Sequence, residues 1–64
     1  MNNDTFNMSM RKFLKQVGVT SQQKLESTAT AMPEGSSTMQ VKMVLTVDGT
    51  ELEHVVEGTI DLGD

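Results

Sequence analysis

With 64 residues the chain is long enough for one small domain, and its lack of cysteine and single histidine exclude disulfides, thiolate metal sites and a histidine zinc site. Its net charge of −4 is unevenly spread: residues 1–32 have four basic residues against two acidic ones, and residues 33–64 have one lysine against seven acidic ones. No apolar run approaches the roughly 20 residues that span a membrane, and the first residues lack the basic and apolar regions of a secretory signal, so we expect a cytoplasmic protein.

A first helix is predicted over about residues 5–17. Its apolar residues recur at helical spacing, which indicates one apolar stripe: Phe6, Met10, Phe13, Leu14 and Val17. Asp4 or Thr5 is suited to cap the N-terminus of the helix, because a short oxygen side chain accepts the free N–H groups of the first turn. Gly18 is suited to end it, because glycine adopts the left-handed conformation of a C-terminal cap.

A second, shorter helix is predicted over about residues 21–31. Thr20 and Gln23 have the spacing of a capping box, in which each side chain satisfies the backbone N–H of the other residue. Pro33 cannot continue a helix, and the glycine and serines that follow it indicate a linker over residues 33–38. The two helices would form a helical hairpin with its turn at Gly18.

The C-terminal half predicts a two-stranded antiparallel β-hairpin over about residues 39–62. Asp48 and Gly49 suit the two central positions of a type I′ turn. That turn would place Leu45 opposite Leu52, Met43 opposite His54 and Val41 opposite Val56, with the apolar side chains on one face. The predicted fold is therefore α+β, a single domain over 1–64 in which an N-terminal helical hairpin packs on the β-hairpin (ααββ). Both strands are edges, so a further strand from a partner or a second copy could pair with them.

Three segments of the N-terminal half carry a family resemblance: Asp4–Met8, Arg11–Lys15 and Val17–Gln22. They resemble the start of a family of short, uncharacterised bacterial proteins, a domain of unknown function. Residues 54–58 and 62–63 resemble the end of the same family. The resemblance implies a bacterial, cytoplasmic protein and implies no catalytic activity.

No residues have the spacing of a catalytic, cofactor-binding or metal-binding site. His54 is the only histidine, and we interpret it as a partly buried structural residue, since no nucleophile or second ligand accompanies it. Glu51, Glu53 and Glu57 share one predicted strand face with Lys42, which is typical of a solvated face. We therefore predict no enzyme activity and no cofactor.

The favoured function is that of a protein-interaction module that associates with itself or with a protein partner. The alternative is a small nucleic-acid-binding regulator that uses residues 11–24, where a glycine between two short helices is typical of a helix-turn-helix motif. Nucleic acid is the less favoured partner because few cations are available to neutralise phosphates, and no membrane contact is expected. The candidate contact residues for a partner or for nucleic acid are Arg11, Lys12, Lys15, Gln22, Gln23 and Lys24.

Overall fold

The computed structural model describes residues 1–63 and forms two compact units, one from Met1 to Ala31 and the other from Met32 onward. The first unit contains one helix, α1 (Asn3–Thr30). The second contains two strands, β1 (Thr38–Thr46) and β2 (Glu53–Asp61), which form an antiparallel two-stranded sheet. The α+β class is therefore confirmed.

The prediction of a helical hairpin was wrong, because α1 continues through Gly18 without a turn. Gly18 does not take the positive φ that a C-terminal cap requires, whereas Gly35, Gly49 and Gly63 do have positive φ. The hydroxyl of Thr20 donates to the backbone carbonyl of Gln16 at 2.8 Å, one turn back, instead of capping a second helix. A lone glycine lowers helix stability by only about 1 kcal/mol relative to alanine, which the backbone hydrogen bonds of a 28-residue helix can offset.

The ends of α1 are set by residues outside the predicted caps. The side chain of Asn2 accepts a hydrogen bond from the backbone N–H of Thr5 at 3.0 Å, so Asn2 is the N-terminal cap. Asp4 lies in the first turn, where a negative charge interacts favourably with the helix dipole. The helix ends at Thr30, and Ala31 is its C-terminal cap.

The two strands pair in a register that differs by two residues from the predicted one. Leu45 lies opposite His54, Met43 opposite Val56 and Val41 opposite Gly58. The chain does turn at Asp48 and Gly49: the N–H of Thr50 donates to the carbonyl of Val47 at 3.1 Å, and Gly49 has a φ of 78°. Residues 47–52 all lie between the strands, however, so the connection is longer than a two-residue turn.

The side chain of Thr50 explains the longer connection. Its hydroxyl donates to the carbonyl of Val47 at 2.7 Å and accepts the N–H of Leu52 at 3.3 Å. These bonds use a carbonyl and an N–H that continued strand pairing would have used, so the ladder begins only at Thr46 and Glu53.

The assignment of residues to the two faces of the hairpin holds despite the change in register, because a shift of two residues preserves the alternation of side chains. One face carries Met39, Val41, Met43, Leu45, His54, Val56, Gly58 and Ile60. On the opposite face, the hydroxyl of Thr59 donates to Oε1 of Gln40 at 3.0 Å across the strands. Among residues 1–63, Met39 is the one buried residue, with 6% of its surface exposed.

Candidate functional site

The six predicted contact residues all lie on α1 and are all exposed. At 100° per residue, Arg11, Lys15 and Gln22 have similar angular positions on the helix, and Lys12 and Gln23 have similar positions on the adjacent side. Lys24 lies on the far side, about 140° around the axis from Arg11. At about 1.5 Å per residue, the two glutamines lie about 10 Å or more along the axis from the three cations. The structure therefore groups only Arg11, Lys12 and Lys15, and it separates Lys24 from all of them.

Residues 11–24 do not form a helix-turn-helix motif, because no turn separates two helices at Gly18. The side-chain amide of Gln22 donates to Oε1 of Glu26 at 3.0 Å, so this residue is paired within α1, next to a carboxylate that would repel phosphate. The i, i+4 spacing of Gln22 and Glu26 was visible in the sequence and predicts this contact. Nucleic-acid binding by the segment stays a prediction, now without the motif that suggested it.

The apolar stripe on the N-terminal half of α1 is exposed to solvent. Phe6 and Phe13 are the only aromatic residues of the chain, and they are 47% and 51% exposed. Leu14 is 52% exposed, Met10 is also exposed, and α1 has no buried residue along its length. Within the first unit, the stripe is therefore an exposed surface and not a core.

The hairpin also exposes apolar side chains, on both of its faces. Met43, Leu45 and Val56 are exposed on the predominantly apolar face. Val44 and Val55 lie directly opposite each other on the other face, where they are 48% and 41% exposed. This valine pair interrupts a face that is otherwise polar.

His54 does not have the partly buried position that was predicted for it. It lies on the apolar face as expected, but it is exposed and its register partner is Leu45 rather than Met43. Its ring makes no hydrogen bond within residues 1–63. The side chain is therefore free to contact solvent or a binding partner.

The described residues contain neither a cluster of side chains suited to a metal ion nor a helix suited to span a membrane. Over residues 1–63, histidine and acidic side chains form no group of three or more that could hold a metal ion. Within the same part of the chain, α1 is not apolar enough over a sufficient length to cross a membrane.

Comparison with known proteins identifies a family but no function. The model of one protein family, described as a family of unknown function (DUF6494), matches residues 1–63. This match confirms the predicted resemblance to a family of unknown function. No curated protein and no solved structure matches the chain.

Proposed function

Since the chain belongs to the family of unknown function DUF6494, which supplies no activity to carry over, we propose from the structure that it is a non-enzymatic protein-interaction module that binds a second copy of itself. The predicted bacterial origin and cytoplasmic location are part of this proposal.

The exposed apolar stripe of α1 is the observation that carries the proposal. Aromatic side chains contribute much of the binding energy in protein interfaces, and here both aromatic residues of the chain are about half exposed on one side of one helix. Leu14 and Met10 extend the same surface. A surface of this composition is favourable to bury against another protein, because apolar area is removed from water.

Each of the two units would also gain stability if another protein surface covered its apolar side chains. A single helix without a buried residue lacks the packing from which most helical stability in proteins derives. A two-stranded sheet is likewise marginal unless its apolar face is covered. A second copy of the chain supplies the same apolar surfaces, and the many like charges of the C-terminal half remain available to keep the assembly in solution.

The molar mass in solution tests the proposal, measured by light scattering behind a sizing column over a concentration series. We expect the mass to rise from that of one 7.0 kDa chain towards twice that value. Phe13→Ser should weaken dimerisation about tenfold or more, because each of the two copies loses the burial of roughly half an aromatic side chain.

Val19→Ser is the matched control for Phe13→Ser. Val19 is comparably exposed but lies about 120° around the axis of α1 from Phe13, so its replacement removes apolar surface outside the stripe. We expect this variant to dimerise like the unmodified chain. A mass of one chain at every concentration would contradict self-association, and equal effects of the two variants would contradict the role of the stripe.

Nucleic-acid binding is the second candidate function, and the exposed cations Arg11, Lys12 and Lys15 within five residues of α1 favour it. The test is fluorescence anisotropy of a labelled random DNA duplex with increasing salt. Retained binding at ~150 mM salt would support this function, because contacts made only to phosphates weaken steeply with ionic strength. Loss of binding at that salt concentration would reject it.

A further inference from the structure

Each edge of the hairpin leaves the backbone N–H and C=O groups of alternate residues without a partner in the other strand. The N–H of Leu62 donates to the carbonyl of Ser37 at 2.9 Å, which identifies the pair 37 and 62 as hydrogen-bonded. Hydrogen-bonded pairs alternate along an antiparallel ladder, so the odd-numbered residues of β1 bond to β2. The even-numbered residues of β1, from Thr38 to Thr46, therefore direct their N–H and C=O groups outward. On β2 the odd-numbered residues, from Glu53 to Asp61, do the same.

The two strands differ in the number and sign of their charged residues. Three of the five outward-directed residues of β2 are acidic: Glu53, Glu57 and Asp61. On β1 the only charged residue is Lys42, and the strand contains no proline and no glycine. Charged side chains on an edge strand oppose pairing with another strand, whereas a long edge strand with little charge favours it. The edge of β1 is therefore open to pairing, and the edge of β2 is protected.

We infer that β1 pairs in antiparallel fashion with β1 of a second copy, forming a four-stranded sheet in the order β2–β1–β1–β2. This inference rests on the proposed self-association and adds the edge of β1 to the stripe of α1 as a second surface that takes part in it. Charge favours pairing two copies through their β1 edges over pairing them through their β2 edges. Two β2 edges would bring six carboxylates together, whereas two β1 edges bring together only two lysines.

The lysines do not prevent this pairing. Each Lys42 has Glu57 of its own chain directly opposite on β2, so each lysine has a carboxylate as its neighbour across the hairpin. Like charges directly opposite each other are destabilising, so we expect a register offset by two residues from the one that aligns the lysines. Lys42 would then lie opposite Val44 or Gln40 of the second copy.

The alternation of side chains makes β1 complementary to itself. In an antiparallel pair of identical strands with this offset, odd-numbered residues face odd-numbered residues. Met39, Val41, Met43 and Leu45 of both copies would therefore lie on one continuous face. The paired sheet would therefore have an apolar face twice the area of that of one hairpin, and no polar residue of β1 would lie on it.

Hydrogen exchange followed by NMR on the unmodified chain tests the inference without any substitution. The outward amides of Gln40, Lys42 and Val44 should exchange roughly tenfold more slowly when nine in ten chains are dimeric, because exchange then proceeds through the one-tenth that is monomeric. The outward amides of Val55 and Glu57 should exchange at the same rate at all concentrations. A dimer in which both sets exchange equally fast would overturn the edge assignment and leave self-association standing, and a mass of one chain throughout would overturn both.

Two matched proline variants provide a second test. Val44 and Val55 are register partners whose N–H groups both point outward, so proline at either position removes no bond between β1 and β2. Val44→Pro should reduce the mass to that of one chain at concentrations where the unmodified chain is a dimer, and Val55→Pro should leave the dimer intact. Equal masses for the two variants would overturn the inference.

A pair of lysine variants keeps the test valid if proline unfolds the hairpin, which circular dichroism would show. Val44→Lys places a second positive charge beside Lys42 on the pairing edge, and Val55→Lys places the same charge on the β2 edge. We expect dimerisation to weaken at least about tenfold for Val44→Lys only. Equal weakening by both substitutions would overturn the inference.

Discussion

Replacing Gly18 by alanine should stabilise α1, because Gly18 lies inside a continuous helix. Its φ is not positive, and a Cβ built at this position meets nothing within 4 Å, so alanine fits without strain or collision. Alanine is more favourable than glycine in a helix interior by about 0.8–1.0 kcal/mol, which raises the helix–coil equilibrium constant about four- to fivefold. The matched control is Gly49→Ala, which should destabilise the hairpin because Gly49 has a φ of 78°.

The assay is circular dichroism at 222 nm during thermal and urea unfolding, at a concentration held constant between variants. We expect the helical signal of Gly18→Ala to persist to higher temperature and higher urea than that of the unmodified chain. A helical hairpin predicts the opposite sign, because Gly18 would then be a left-handed cap in which alanine costs about 1 kcal/mol. A destabilised Gly18→Ala variant would therefore refute the single helix.

Three further predictions concern individual hydrogen bonds. Asn2→Ala should destabilise α1 by about 1 kcal/mol, measured by urea unfolding, because it removes the acceptor of the Thr5 N–H; no change would contradict the cap. Thr50→Val should loosen residues 47–52 and allow Leu45 to pair with Leu52, which cross-strand nuclear Overhauser effects would detect; an unchanged register would refute the role of the Thr50 hydroxyl. Thr59→Val should destabilise the hairpin by about 0.5–1 kcal/mol in thermal unfolding through loss of the Gln40 contact, and an equally stable variant would contradict it.

The sequence predicts the helical content of the N-terminal half better than the connection within it. The apolar spacing from Phe6 to Val17 correctly indicates helix, since periodicity reports local backbone geometry. The predicted turn at Gly18 was wrong because Gly18 and Thr20 are each compatible with two local structures. Glycine can either cap a helix or be tolerated within one, and a threonine hydroxyl can accept a cap hydrogen bond or donate one turn back, as it does to Gln16.

In the hairpin, the sequence predicts the faces but not the register. Alternation of apolar and polar residues fixes which side chains share a face, and a shift of two residues leaves those faces unchanged. The connection contains two hydrogen bonds of the Thr50 side chain, to Val47 and Leu52, which the hydrophobic pattern does not encode. The candidate surface was likewise only partly predictable: the exposed cations follow from composition, but the exposure of Phe6 and Phe13 required the structure.

The molar mass as a function of concentration tests self-association most directly. Light scattering from about 1 μM to about 1 mM covers the dissociation constants of weak and moderate complexes. We predict that the mass rises from one 7.0 kDa chain to twice that value and that the transition moves to higher concentration in Phe13→Ser. A mass of one chain over the whole range would contradict the account.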